Sequence, residues 1–227
     1  MKQETVSIII PVYQEAERID GLLEQLDRLP GRWEAIFADG GSTDDTAERI
    51  RGRYPVIHAP RGRARQMNAA AAQAGGDVLL FLHADSILPR DLCRQIREVR
   101  SRGYSFGCFR LRFESRHPVM KLGGFFSNLR VKFFGIAFGD QGIFLTRELF
   151  DEIGGFPDLP LMEDYQLSLS LRGRAPLGQA GGYLTTSARR FESGGMFRTM
   201  WAMKRLQRRF RRGDPIEEIA RAYRNIR

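Results

Sequence analysis

Short apolar runs alternate with helical patterns over the first hundred residues, and this alternation restricts the fold more than any other feature of the sequence. Residues 6–10, 33–38, 56–58 and 78–82 are rich in β-branched and aromatic residues, which is typical of buried strands. The segments between them carry apolar residues at helical spacing and end at glycine or proline. Strands separated by helices join through crossover connections, so the pattern predicts an α/β fold with a mostly parallel sheet flanked by helices.

The second half of the chain has a weaker pattern. Residues 106–113 and 142–146 are predicted strands, and residues 148–153 and 163–171 are predicted helices. Two amphipathic helices follow, and no internal repeat or low-complexity linker separates them from the rest. We therefore predict one α/β domain with a C-terminal helical extension.

Positive charge is concentrated in the second half. The chain has a net charge of +9: residues 1–100 hold 14 basic and 15 acidic side chains, whereas residues 101–227 hold 22 and 12. Nine of the basic residues fall between Arg189 and Arg212, where Glu192 is the one acid. Basic surfaces attract nucleic acids, anionic lipids or phosphorylated ligands, and composition does not choose among these partners.

Composition excludes several classes of protein. A hydrophobic fraction of 42% argues against a disordered chain, and two cysteines, Cys93 and Cys108, cannot form a disulfide framework. No apolar run approaches the roughly 18 residues of a membrane span, and the first residues lack the pattern of a signal peptide. We therefore expect a cytoplasmic protein, with peripheral membrane association left open.

Polar residues follow three of the predicted strands. Residues 11–15 follow the first, Asp39 and a glycine-rich loop follow the second, and His83 and Asp85 follow the fourth. Ligands of open parallel sheets bind beyond the carboxyl ends of the strands, and an aspartate there suits Mg²⁺ or Mn²⁺. Two alternatives stay open. Residues 39–44 can be a simple turn with a helix cap that binds no ligand, and Asp85 can be a residue that binds no metal. No dinucleotide fingerprint or P-loop occurs in the sequence.

Taken in order, these segments resemble the family 2 glycosyltransferases, which have the GT-A nucleotide-sugar fold. The resemblance covers residues 5–190. Residues 8–15 match the opening strand and P-x-Y-N-E motif, with Gln14 where Asn is commoner. Residues 39–44 match the D-D-G-S-x-D loop, with Gly40 in place of its second Asp.

Three further motifs extend the resemblance. Residues 62–68 match a G-x-x-x-x-x-N segment, and residues 83–85 occupy the D-x-D position with only the last acid retained. Residues 139–141 and 162–164 resemble the acceptor-side loop and the E-D motif that carries the catalytic base. Together with residues 186–191, these motifs also resemble a subfamily called transferase 2, which is associated with radical-SAM/selenodomain genes and sometimes with arsenosugar biosynthesis.

The resemblance implies a nucleotide-sugar donor, most often a UDP-sugar, and an acceptor that it does not identify. It divides the GT-A domain, residues 1–190, into a nucleotide-binding half (1–100) and an acceptor half (101–190), ahead of a basic extension (191–227). A divalent cation, Mg²⁺ or Mn²⁺, would be held by Asp85, with His83 as a weak ligand or orienting residue. The donor-binding residues that it implies are Pro11, Tyr13, Glu15, Asp39, Gly41, Gly62, Arg63, Arg65, Asn68, Ala84 and Asp85.

The resemblance also implies an inverting transfer with Asp164 as general base and Glu163 as its neighbour in the catalytic pair. Such a transfer needs one carboxylate opposite the leaving group to take the proton of the acceptor. The alternative is that the two acids only begin a helix, where negative charge is favourable. The residues implied for the acceptor or the diphosphate are Gly139, Asp140, Gln141, Arg189 and Arg190.

Two segments stay open between several interpretations. The aromatic residues 120–138 suit an acceptor lid, a membrane-contacting hairpin or core packing, and the basic residues 196–212 add to the membrane interpretation. A nucleic-acid-binding protein would need a recognition module, and the basic helix has none, so we expect no nucleic acid partner. A catalytically weak nucleotide-sugar-binding protein is the other alternative, because Gly40 and His83 replace acids.

Overall fold

Seven strands form one sheet in the computed structural model, which describes residues 4–187 and 196–224. The strands are β1 (Val6–Val12), β2 (Trp33–Asp39), β3 (Val56–His58), β4 (Val78–Phe81), β5 (Phe106–Glu114), β6 (Ile143–Thr146) and β7 (Leu177–Ser187). Their order is β3-β2-β1-β4-β6-β5-β7, and β1 to β4 are parallel. Strand β6 runs antiparallel to β4 and β5, and β7 is parallel to β5. The predicted mostly parallel sheet is confirmed.

Helices connect the strands and flank the sheet. They are α1 (Ile19–Asp27), α2 (Thr46–Arg51), α3 (Arg63–Gln73), α4 (Leu92–Ser101), α5 (Pro118–Phe134), α6 (Arg147–Glu152), α7 (Glu163–Leu171), α8 (Met196–Arg211) and α9 (Ile216–Arg224). A short 3₁₀ turn, Gly139–Gln141, precedes β6. Among these helices, none is long and apolar enough to cross a membrane.

Both faces of the sheet are buried, which explains why its central strands are continuous apolar runs. Successive side chains of a strand point to opposite faces. Accordingly, Ile8 and Ile10 of β1 pack into one core cluster with α1 and α4, and Ile9 packs into a second cluster with α3. Cys93 and Cys108 lie one in each cluster, and burial raises the pKa of both thiols.

Two elements were not predicted from the sequence, α5 and β7. Helix α5 has apolar residues on two faces and two glycines in its interior, so it shows no clean helical period. Strand β7 contains polar residues and two glycines beside a β-bulge, which weakens its strand pattern. The interpretation of the aromatic residues of α5 as core residues is wrong for four of them. Phe125, Phe126, Phe133 and Phe134 are more than half exposed.

The two C-terminal helices pack against the start of α7. Leu206 of α8 and Ile219 of α9 form a third buried cluster with Met162 and Tyr165. Met203 and Phe210 of α8 also pack against this cluster, so part of the apolar face that the sequence predicts for α8 contacts protein. Membrane contact through residues 196–212 stays a prediction.

Candidate active site

Three loops with predicted site residues meet at one edge of the sheet. Strands β1, β2 and β4 are parallel neighbours, so the loops that follow them leave the sheet at the same end, where ligands of such sheets bind. The start of α7 reaches this end too. The N–H of Gly139 donates to Asp164 Oδ2 at 2.7 Å, and both residues line one small cavity with His83.

Asp39 shapes the loop after β2. Its buried carboxylate accepts the N–H groups of Gly41 and Ser42 at 3.2 and 3.1 Å. Gly41 has a φ of +87°, a conformation that glycine adopts without strain. These bonds occupy only part of the acceptor capacity of the carboxylate, which has about four lone-pair sites. Asp39 can therefore hold its own loop and still accept a hydrogen bond from a ligand.

The loop after β1 is bonded to the loop after β2. The backbone N–H of Gln14 donates to Ser42 Oγ at 3.0 Å, and its side-chain amide donates to Thr43 Oγ1 at 2.8 Å. The N–H of Glu15 donates to Thr46 Oγ1 at 2.8 Å. Gln14 has a φ of +57°, in the left-handed region that few non-glycine residues occupy. Gln14 therefore fixes the two loops relative to each other.

Arg61 is a site residue that sequence reasoning missed. Its guanidinium carbon lies 4.0 Å from the ring centroid of Tyr13, a cation–π contact. The family resemblance implied Arg63 and Arg65, and not Arg61, as donor-binding residues. Arg65 donates to Asp158 at 2.8 Å on the surface. Three arginines at alternate positions carry no sequence signal that tells which one reaches Tyr13.

Gln66 was also missed, and it explains the departure at Gly40. Its buried amide donates to the carbonyl oxygens of Val12 and Ala38 at 2.9 and 2.8 Å. A Cβ at position 40 would lie only 3.0 Å from Gln66 Nε2. Gln66 thus occupies the space that an acidic side chain at position 40 would need.

Asn68 forms two hydrogen bonds with the backbone of the loop after α6. Its amide donates to the carbonyl of Phe156 at 2.8 Å and accepts the N–H of the same residue at 2.9 Å. A Cβ on neighbouring Gly155 would meet this amide at 2.8 Å. Asn68 therefore positions the loop. Within the described residues, its side chain has no hydrogen-bond partner other than Phe156.

The two candidate metal ligands face different surroundings. Asp85 is exposed beyond β4, whereas His83 lines the cavity beside Gly139 and Asp164. His83 Nε2 would lie 2.7 Å from a Cβ on Gly139, so a larger residue there would displace the imidazole. Among the described residues no three His, Cys, Asp or Glu side chains are grouped as a metal site. A cation at Asp85 would need further ligands, and a diphosphate with water can supply them.

The E-D pair divides into one buried and one accessible carboxylate. Glu163 is buried and accepts a hydrogen bond from Arg63 Nη1 at 3.0 Å. Burial raises the pKa of Glu163, and the positive charge of Arg63 opposes this. Asp164 Oδ2 accepts from Gly139, and Oδ1 accepts the N–H of Tyr165 at 2.6 Å. Met162, immediately before the pair, has a φ of +66°. The pair begins α7 and also lines the cavity, and its catalytic role stays a prediction.

Arg130 is a third residue that sequence reasoning did not place in the site. It donates to Gln141 Oε1 at 2.6 Å and to the carbonyl of Ile136 at 3.2 Å, and it stacks on Phe138 at 4.0 Å. These contacts fix the 3₁₀ turn that carries Asp140. Burial raises the pKa of Asp140 to about 6; the charge of Arg130 opposes this rise, and the charges of Asp164 and Asp85 add to it. Arg130 thus compensates for negative charge gathered at this edge.

The other predicted residues lie at the same edge or outside the described chain. Pro11 and Glu15 are partly buried in the first loop, and Ala84 is buried after β4. Gly62 has a φ of +140° at the start of α3. Arg189 and Arg190 lie outside the described residues.

Comparison with known proteins gives a family and a fold. The family model described as glycosyl transferase family 2 matches residues 7–154, more than half of the chain. A beta-monoglucosyldiacylglycerol synthase of Synechocystis sp. is 26% identical over 73% of this chain and 40% of its own length. An undecaprenyl-phosphate 4-deoxy-4-formamido-L-arabinose transferase of Pectobacterium atrosepticum is 30% identical over 44% of this chain and 35% of its own length. The chain thus spans two fifths or less of the length of these curated relatives.

A solved structure supports the same fold over the whole chain. The mannosyltransferase of Pyrobaculum calidifontis in complex with GDP-Man and Mn²⁺ matches with a TM-score of 0.71 and 18% identity. The match covers 100% of this chain and 70% of that protein. The fold is therefore the GT-A fold that the sequence motifs predict.

Proposed function

Because the chain belongs to glycosyl transferase family 2, we propose that it transfers a sugar from a nucleoside-diphosphate sugar to an acceptor, with inversion at the anomeric carbon. One observation carries the proposal: the Tyr13 and Asp39 loops open at the same end of the sheet as the cavity lined by Asp164. A nucleotide held by the first two loops would point its diphosphate toward the cavity.

Asp164 serves as the general base in this proposal. Two backbone N–H groups hold its carboxylate, one on each oxygen, and leave lone pairs for a third partner. The acceptor hydroxyl gives its proton to Asp164 as its oxygen attacks the anomeric carbon. The bond from that carbon to the diphosphate oxygen breaks, and the nucleoside diphosphate leaves. Glu163 has a positioning role, because it holds Arg63 at 3.0 Å.

Replacement of Asp164 tests this role. We expect Asp164→Asn to lower the transfer rate about 10²- to 10⁴-fold, the usual contribution of a general base, while a nucleoside diphosphate still raises the melting temperature. Glu163→Gln is the matched control, and it should lower the melting temperature because it weakens a buried ion pair. Transfer by Asp164→Asn at the wild-type rate would refute the assignment.

Asp85 and the sugar donor would together hold a divalent cation. The exposed carboxylate suits Mg²⁺ or Mn²⁺, which are bound by few carboxylates and keep their other positions for water and phosphate. When bound, the cation would neutralise the diphosphate as it leaves. The Arg63 guanidinium has further N–H groups beyond the one bonded to Glu163, and these can donate to the same diphosphate.

A thermal-shift panel tests the nucleotide and the cation together. We expect UDP or GDP to raise the melting temperature, and Mn²⁺ to increase this shift in the wild type but not in Asp85→Asn. Equal shifts with and without Mn²⁺ in the wild type would argue against metal assistance. The panel also distinguishes a uridine nucleotide, which the family resemblance favours, from a guanosine nucleotide.

We propose a lipid acceptor presented at a membrane surface. The names of the two curated relatives contain a diacylglycerol and an undecaprenyl phosphate. Helix α5, which adjoins the turn carrying Asp140, exposes phenylalanines to solvent. Membrane contact through residues 120–138 would place the cavity near such an acceptor. Membership of the transferase 2 subfamily stays a proposal that depends on the motifs at residues 83–85, 139–142 and 186–191.

A catalytically weak nucleotide-sugar-binding protein is the second candidate. Position 40 lacks the acid of the family motif, and a Cβ there would lie 3.0 Å from the Gln66 amide, which donates to the carbonyl of Val12. Nucleotide binding without any Mn²⁺-dependent hydrolysis of the sugar donor would favour this candidate over the transferase.

A further inference from the structure

Helix α5 has a second apolar face that the protein does not cover. Leu122, Phe125, Phe126 and Phe133 recur at helical spacing and are 53%, 56%, 57% and 68% exposed. The opposite face of the helix is buried and packs against β5. Contiguous exposed apolar side chains of this size mark a binding surface rather than a solvated one. We call these four residues the α5 stripe.

A basic groove runs beside the α5 stripe. It has a volume of about 700 Å³ and lies between α5 and the strands β5 and β7. Arg110 and Arg112 from β5 and Lys121 and Lys132 from α5 line it, and no acidic side chain does. In the described part of the chain, none of these four cations forms an ion pair. The groove therefore carries positive charge that the protein does not neutralise.

The two arginines are held in place by an aromatic ring. The guanidinium carbons of Arg110 and Arg112 lie 4.7 and 4.4 Å from the ring centroid of Tyr183. The register of β5 and β7 shifts between Cys108 and Arg110, so that Arg110 pairs with Tyr183. A guanidinium that stacks on a ring keeps its N–H groups in the ring-parallel plane, where they can donate to phosphate oxygens.

We propose that this groove binds the phosphate of an anionic lipid while the α5 stripe inserts into the bilayer beside it. The inference rests on the membrane contact proposed above and names the groups that would recognise the lipid. An apolar helix face flanked by lysines is the arrangement by which helices lie in the interface of anionic membranes. A second copy of the chain is a poorer occupant, because a two-fold interface would bring two sets of four cations together.

Co-sedimentation with vesicles tests the groove separately from the stripe. The wild type should bind vesicles containing phosphatidylglycerol more strongly than vesicles of phosphatidylcholine alone. Arg110→Gln/Arg112→Gln should lower binding to the anionic vesicles about five-fold per charge, and leave binding to phosphatidylcholine unchanged. Phe125→Ser/Phe126→Ser should lower binding to both. Nucleotide-dependent thermal shifts confirm that each variant is folded.

A matched control removes the same charge elsewhere. Arg28→Gln/Arg51→Gln changes two exposed arginines at the ends of α1 and α2, outside the lining of the groove, and should bind anionic vesicles like the wild type. The groove is refuted if this control loses as much binding as Arg110→Gln/Arg112→Gln, or if the latter keeps the preference for anionic lipid. If the wild type binds neither vesicle, the membrane contact is wrong as well. Nucleotide binding that persists in that case leaves the transferase proposal intact.

Discussion

Asp140 links protonation to folding at the scale of a single residue. Burial raises its pKa from an ordinary 3.8 to about 6, so the folded state holds a proton that the unfolded state has lost between these values. The folded state binds more protons there, and the contribution of Asp140 to stability falls as the pH rises from about 4 to about 6. Arg130 limits this loss, and Asp164 and Asp85 increase it.

The variant Asp140→Asn removes this dependence on pH. We expect its free energy of unfolding, relative to the wild type, to rise by at most about 3 kcal/mol between pH 4 and pH 7. Urea unfolding of both proteins at several pH values, in a chelator that removes divalent cations, measures the difference. A difference that stays constant over this range would contradict the raised pKa.

Gly40 illustrates how one residue is fixed by a neighbour that is distant in sequence. A Cβ at position 40 would lie 3.0–3.1 Å from three atoms of the buried Gln66 amide. We expect Gly40→Ala to lower the free energy of unfolding by about 1–3 kcal/mol, the usual cost of overpacking. Gly21→Ala in α1 is the control, because nothing lies within 4 Å of its added Cβ, and it should raise stability by about 0.5–1 kcal/mol. A neutral Gly40→Ala would mean that Gln66 moves aside at no cost.

At the scale of elements, a single asparagine fastens α5 to the sheet. Strand β6 pairs with β5 only through Phe106 and Gly107. Farther along β5, Asn128 of α5 accepts the N–H of Leu111 at 2.8 Å and donates to its carbonyl at 3.1 Å. The side chain thus supplies the hydrogen bonds that a neighbouring strand would otherwise supply.

Removal of this amide should loosen α5. We expect Asn128→Ala to lower the free energy of unfolding by about 1–3 kcal/mol, because it leaves two backbone groups of β5 unpaired. Ser127→Ala on the same helix should change it by about 0.5 kcal/mol or less. Chemical denaturation measures both. Equal effects of the two substitutions would show that packing alone holds the helix.

At the scale of the whole molecule, the C-terminal helices are part of the structure around the site. Ile219 is fully buried among residues of α7 and α8, and Met162 of the same cluster directly precedes Glu163. The helices therefore support the start of α7 from the outside.

One substitution tests whether these helices unfold with the rest. We expect Ile219→Ala to lower the single melting temperature of the chain by about 5–15 °C, since such cavities cost about 2–5 kcal/mol. The control is Trp201→Ala on α8, whose side chain is 65% exposed, and it should shift the melting temperature little. Two separate transitions in the wild type would instead show an independent extension.

The sequence by itself determined the alternation of strands and helices in the first half, the mostly parallel sheet and the loops at its edge. Those features depend on local periodicity and turn residues, which a chain carries within each segment. The family motifs at Asp39, Asp85 and Asp164 are local in the same sense, and their catalytic roles stay predictions. The departure at Gly40 was visible in the sequence, but its cause was not.

Only the tertiary structure decided which side chains act together. In the folded chain Arg61 stacks on Tyr13, and Arg63 donates a hydrogen bond to Glu163. Arg130 contacts the turn that carries Asp140. The tertiary structure also left one face of α5 exposed and packed Leu206, Met203 and Phe210 of α8 into the third cluster, although both segments are basic and apolar. The physical reason is that pairing and burial depend on neighbours far away in sequence, so identical residue types acquire different partners once the sheet brings their elements together.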